Sequence, residues 1–302
     1  MKKILLLAVL FGQVAFAQRL QIKSVEKIST DGLSGVYHPK FSPKGDYILL
    51  SGVDYSGLKM YSFANKGIKT ITNDPGAGYG TQISDDGNTI LYKKNELKKN
   101  LKYSSLVSYS KISDSKNEIV PSTRESLTAK LQGNTPVYVK GKKMVKPRSA
   151  SQTQKKAIII CVEDRLLALY IDGSRKVLAP NGSQASYIWP SISPDQKRIV
   201  YTVASKGTFV CDLQGKNVVS LGKLNAPVWL NNRWIVGMDD KDDGEKLISS
   251  VLVAVTVDGK ARQTVEAPQG KMAMYPAASS DGKRIAFNTE NGELYVVDLI
   301  EE

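Results

Sequence analysis

A thirteen-residue phrase recurs three times in this chain and limits the folds open to it. Its copies are His38-Pro39-Lys40-Phe41-Ser42-Pro43-Lys44-Gly45-Asp46-Tyr47-Ile48-Leu49-Leu50, Trp189 to Tyr201, and Tyr275 to Phe287. In each, the first proline precedes the isoleucine of an apolar run by nine positions: Pro39 to Ile48, Pro190 to Ile199, Pro276 to Ile285. Proline cannot donate to a sheet ladder, so it belongs at a strand start or on an edge. Ser-Pro-Asp-Gly-type clusters preset one φ and then admit a left-handed residue, which makes a tight turn. The β-branched and aromatic run that follows suits a buried strand. Each phrase therefore reads as strand, turn, strand.

A hairpin repeated at about 40 residues is the sequence signature of a propeller blade. Ile83 to Tyr92 repeats the phrase without its prolines, and Ala226-Pro227-Val228-Trp229 opens another copy. Openings at Val36, Tyr79, Pro147, Trp189, Ala226 and Tyr275 predict six blades. The last opening is followed by one strand too few, and Leu20 to Ile28 alternates like a spare strand. The predicted fold is all-β: a six-bladed β-propeller closed by an N-terminal strand, since an open array would leave aggregation-prone edges. Residues 18–302 form one propeller domain in this reading, with a basic insertion near 100–146 where the regularity fades.

The three full phrases resemble the TolB-type, WD40-like propeller repeat known as PD40, whose hallmark is Pro-x-x-Ser-Pro-Asp-Gly before an Ile-Ala-Phe-like strand. Residues 39–50, 190–201 and 276–287 match it well, and 83–92 match in part. The resemblance spans roughly residues 36–300 with a gap over 100–146. It implies exported, six-bladed propellers that bind proteins.

Residues 1–17 read as a secretory signal: Lys2 and Lys3, an apolar stretch from Ile4 to Phe16, and Ala15-Phe16-Ala17 as the cleavage site before Gln18. The apolar run is too short to span a bilayer well, and no later segment is long and apolar enough to do so. The mature protein is expected in the periplasm. Export permits a disulfide. However, Cys161 and Cys211 each sit inside an apolar strand, which favours two buried thiols.

The chain carries 42 basic and 29 acidic residues. Residues 93–156 hold 16 of the former and 4 of the latter. Lysines rarely bury unpaired. Lys98, Lys99, Lys142 and Lys143 are therefore candidates for a surface that attracts an anionic envelope polymer or an acidic protein. A solvated, solubilising segment is the competing reading. Export argues against nucleic acid as the partner.

Chemistry-bearing motifs are few. His38 is the only histidine, so a multi-histidine metal site is excluded and a Ser-His-Asp triad would have a single possible base. Gly32-Leu33-Ser34-Gly35 falls one residue short of a nucleophile elbow. Asp239 to Glu245 places Lys241 where a calcium loop needs its third ligand, which leaves a solvated acidic turn. No metal and no cofactor is expected. His38, Tyr79, Trp189 and Tyr275 open their phrases and are predicted at the mouth of the central channel as ligand contacts. Aromatic packing between blades is the alternative. The expected function is a non-catalytic binding scaffold of the cell envelope. A glycan- or peptidoglycan-associated enzyme and a subunit of an envelope secretion or motility assembly are the other readings.

Overall fold

The computed structural model describes residues 19–30, 33, 35–146, 156–265 and 267–301; the expected leader, residues 1–17, lies outside them. Strand β1 (Leu20–Ile28) comes first. Blade one is β2 (Tyr37–Phe41), β3 (Tyr47–Ser51), β4 (Leu58–Ser62) and β5 (Ile68–Thr72), with a short 3-10 turn at Val53–Tyr55. Blade two is β6 (Gln82–Ile83), β7 (Thr89–Lys98), β8 (Leu101–Ser110) and β9 (Ser115–Thr123). Blade three has three strands, β10 (Leu127–Gln132), β11 (Thr135–Lys140) and β12 (Lys143–Val145). Blade four is β13 (Ile158–Glu163), β14 (Leu166–Ile171) and β15 (Ser174–Leu178). Blade five follows with β16 (Tyr187–Ile192), β17 (Arg198–Val203), β18 (Gly207–Asp212) and β19 (Val219–Gly222). Blade six comprises β20 (Asn225–Trp229), β21 (Trp234–Asp242), β22 (Leu247–Thr256) and β23 (Arg262–Val265). Blade seven comprises β24 (Met274–Ala278), β25 (Arg284–Asn288) and β26 (Leu294–Glu301), and β1 pairs antiparallel along β26, from Leu20 opposite Glu301 to Ile28 opposite Leu294.

The expected six-bladed propeller closed by an N-terminal strand is thus corrected: the ring has seven sheets. The additional blade is β10–β12. The basic stretch near 100–146, expected as an insertion, supplies β8, β9 and this entire blade. Packing explains why the blade is needed. Its Leu127 and Leu131 fill a cluster with Leu91, Leu106 and Val120 of blade two. Its Val137 and Val139 fill another with Ala157, Ile159, Ala168 and Tyr170 of blade four.

The same arrangement runs round the ring. Each of the seven apolar clusters joins two neighbouring blades. Side chains alternate across a strand, so a strand inside the ring serves two clusters in turn. On β3, Tyr47 and Leu49 face blade two, while Ile48 and Leu50 face blade seven. On β17, Ile199 and Tyr201 face blade four and Val200 faces blade six. That double duty is why the runs are apolar throughout and not alternating. Between blades seven and one, Ile28, Ala286, Leu294 and Val296 meet Phe41, Ile48, Leu50 and Tyr61. Arg284 spans the same junction: its guanidinium lies 5.0 Å from the Phe41 ring centroid and donates to the Gly45 carbonyl at 2.8 Å. A Cβ on Gly45, whose φ is +68°, would lie 2.0 Å from that guanidinium nitrogen.

The repeated phrase has a specific internal wiring. Ser42, Ser84, Ser193 and Ser279 are all buried. Their hydroxyls donate to Asp46, Asp86, Asp195 and Asp281 at 2.5–2.6 Å. Each hydroxyl oxygen also accepts the backbone N–H that starts the next strand, from Tyr47, Thr89, Arg198 or Arg284. The Ser84 hydroxyl and the Asn88 N–H hold the Asp86 carboxyl well below the usual carboxylate range. Serine and aspartate are therefore the turn's own hydrogen-bond partners. Among the described residues no helix is long and apolar enough to cross a membrane.

Candidate functional site

The innermost strands share a second feature. His38, Trp189, Ala226 and Tyr275 all have φ between 46° and 52°. Each directly precedes a proline, Pro39, Pro190, Pro227 or Pro276. Each pair interrupts the ladder between an innermost strand and its neighbour, where the register shifts. A proline removes no hydrogen bond at such a bulge, and a bulge re-aims the side chain it carries. A non-glycine residue held in the left-handed region costs about 1–3 kcal/mol, a burden found mainly at ligand clamps and active sites.

Two of these side chains, His38 and Tyr275, join an aromatic arc with Tyr55 and Tyr79. The His38 ring lies 4.3 Å from Tyr275 and stacks on Tyr55 at 3.7 Å. Tyr55 meets Tyr79 edge-on at 5.1 Å. Tyr79 and Trp189 both line the central cavity and are 53% and 43% exposed, high values for such large rings. Burial pushes the His38 imidazole down to about 4, against the opposing charge of Asp54, so it is a neutral aromatic ring at pH 7. Tyr55, on the 3-10 turn after β3, was missed in the sequence because it lies outside the repeated phrase. In blade two, Ser84 aligns with Ser42, which puts Gly80 in the place of His38 and Tyr79 one residue earlier; Gly80 takes the positive φ, +69°.

Tyr79, at one end of the arc, and Trp189 border a cavity of about 720 Å³, within the range of small-molecule sites. It is walled by the innermost strands of blades one to five. Ile158 to Val162 and Ile188 supply its apolar surface, and Lys40, Lys93 and Lys130 its charge. Burial pushes Lys40 down to about 8, and the nearby Lys130 ammonium adds to the effect. Burial likewise takes Lys93 to about 8, assisted by Lys102. Lys130 is lowered by burial, with Asp85 opposing. Lys93 sits 4.6 Å over the Tyr79 ring. Cys161 also lines the cavity and is a half-buried free thiol, whereas Cys211 is a fully buried one. Burial, helped by the Glu163 carboxylate, pushes the Cys161 thiol up to about 12.

No protein-family model and no curated protein matches this chain by sequence. Solved structures do match. The WD40 repeats of RRP9 superpose with a TM-score of 0.62 at 9% identity, covering 94% of this chain and 100% of that one. A chain of the mitotic checkpoint complex gives 0.63 at 9%, covering 100% and 98%. TolB from Acinetobacter baumannii gives 0.53 at 16% identity, covering 81% of this chain and 57% of TolB.

The fold is a TolB-like, WD40-like propeller. At these identities the likeness concerns the fold alone.

The four surface lysines predicted to attract anions lie elsewhere on the propeller. Lys98 pairs with Glu96 at 2.6 Å, and Lys142 with Asp164 at 2.9 Å. Lys99 occupies the β7–β8 turn with φ 50°, and Lys143 is exposed at the start of β12. The acidic segment from Asp239 to Glu245 forms the β21–β22 hairpin end, where Asp239 pairs with Arg262 and the Asp243 carboxylate accepts the N–H groups of Glu245 and Lys246. Among the described residues no group of three or more His, Cys, Asp or Glu side chains gathers as a metal site.

The left-handed seat can be tested directly. Glycine enters that region freely and alanine does not. Trp189→Gly is therefore expected to be more stable than Trp189→Ala by about 1 kcal/mol, measured by urea unfolding. Elsewhere in a strand the order would be reversed, so an alanine variant more stable than the glycine one would disprove the seat.

Proposed function

We propose that this propeller is an exported, non-catalytic binding scaffold of the cell envelope, with the channel mouth as its binding surface. The observation that carries the reading is the aromatic arc Tyr275–His38–Tyr55–Tyr79, whose Tyr79 end lines the cavity together with the exposed ring of Trp189. Exposed aromatic rings at a fixed concave site are the usual anchors of recognition. Neither His38, neutral at pH 7, nor Cys161, a thiol and not a thiolate, is poised as an acid or a nucleophile. The leader-like residues 1–17 and the resemblance of residues 39–50, 190–201 and 276–287 to the repeat of exported propellers support an envelope location.

The test is site-specific photo-crosslinking in intact cells. A photoreactive side chain at position 79 should capture an envelope component. The same group at Ile112, 79% exposed on the β8–β9 turn, should not. Equal labelling at both positions, or recovery of the unprocessed chain in the cytoplasm, would overturn the proposal.

A further inference from the structure

The cavity has a charge that the fold does not explain. Lys40, Lys93 and Lys130 stand on three different blades, 53 and 37 residues apart in sequence, and converge on one open cavity. Among the described residues, no aspartate or glutamate lines it. Among the described residues none of the three lysines forms an ion pair. Lys93 has a long hydrogen bond to the Leu127 carbonyl at 3.4 Å and the face of Tyr79. Asp85 is, among the described residues, the one carboxylate that acts on them, at Lys130; partly buried ammonium groups with so little counter-charge favour an anion joining them. A cleft lined by one sign of charge between low-dielectric walls concentrates ions of the opposite sign. A second observation points to the same place: Ser191 lines the cavity, and its buried hydroxyl has no hydrogen-bond partner among the described residues. Buried hydroxyls are otherwise almost always satisfied.

We propose that the channel binds a small organic polyanion whose oxyanion groups, carboxylate or phosphate, are held by Lys40, Lys93 and Lys130. The Ser191 hydroxyl donates a further hydrogen bond. The body of the ligand lies along the apolar wall Ile158 to Val162 and under Tyr79 and Trp189. Three cations neutralise two or three negative charges, and the cavity volume admits a molecule of metabolite size but no folded domain. The inference rests on the channel mouth being the binding surface, and it names the chemistry that surface selects.

Calorimetric titration of the full chain with citrate and with pyrophosphate at pH 7 tests it. One site per chain is expected for at least one of the two. Preference for citrate assigns the carboxylate source, and preference for pyrophosphate the phosphate source. Loss of a charge-assisted hydrogen bond weakens binding about tenfold. Lys40→Met, Lys93→Met and Lys130→Met should each do so, and the triple variant should not bind. The variant Lys98→Glu, Lys99→Glu, Lys142→Glu, Lys143→Glu should keep the site. Absence of binding by both probes overturns the inference. So does binding that survives the triple methionine variant and disappears with the four surface substitutions. Crosslinking at position 79 reports on the binding surface irrespective of charge. A failed titration beside successful crosslinking therefore removes the anion and leaves the scaffold.

Discussion

Replacing Lys40 by methionine is expected to stabilise the protein by about 3 kcal/mol at pH 7, the free-energy equivalent of its displaced titration. Burial brings the Lys40 ammonium from the ordinary 10.5 to about 8. Below pH 8 both folded and unfolded chains carry the proton, and the native state bears the full penalty of enclosing it. Between pH 8 and 10.5 the unfolded chain holds a proton that the native one has lost, so the stability of the natural protein rises with pH across that window. Above 10.5 the penalty is gone. The gain from Lys40→Met should therefore be greatest at pH 8 or below and fade towards pH 10.5. Urea unfolding at pH 7 and pH 10 reads both halves of the expectation. A variant less stable than the parent at pH 7, or a gain that persists unchanged at pH 10, would refute it. Natural retention of a residue that weakens the fold is what a binding role for Lys40 requires.

Phe287→Ala is expected to lose about 4 kcal/mol. The ring is fully buried on β25 and stacks on Tyr295 with centroids 5.4 Å apart and planes 10° from parallel. It belongs to the cluster that also holds Trp234, Val236 and Leu252 of blade six. Strands on both sides are tied into their own sheets, so the space cannot collapse and the cavity term adds to the lost transfer energy. The denaturant midpoint should fall with an unchanged slope. Ile112→Ala, on an exposed turn, should stay within about 0.5 kcal/mol of the parent. A loss below about 1.5 kcal/mol for Phe287→Ala would mean that the junction repacks.

The blades that could be read from sequence are those whose turns are wired locally. Ser193 and Asp195, or Ser279 and Asp281, meet within a few residues, so the physics of the turn is written in the phrase itself. The blade count failed at Leu127–Gln132, which has no proline, serine or aspartate of that kind and turns on Gly133-Asn134. Its lysines made it resemble a solvated insertion. One of them, Lys130, faces the cavity, a placement that depends on the register of β10 against β11 and on a ring that only the whole chain closes. The cavity's charge was invisible for the same reason: residues 40, 93 and 130 have no local relationship. The bulge residues His38, Trp189 and Tyr275 were readable because each opens a phrase, whereas Tyr79 stands one residue before Gly80, which takes that place in blade two. Tyr55 lies on a turn outside the repeat and shows only in three dimensions.

The left-handed bulge has a consequence for how such a molecule can change. In four blades the backbone holds the same geometry, yet the residue carried there is histidine, tryptophan, alanine or tyrosine. The conformation is set by the proline behind it and the ladder around it, so the identity of the side chain is left to whatever the channel must recognise. Exchanging His38 or Trp189 for another side chain leaves the seven clusters untouched, whereas Ala226 and Tyr275 also pack against the cluster between blades six and seven. At those first two positions the side chain can thus drift across descendants of this chain without each step having to be rescued elsewhere in the structure.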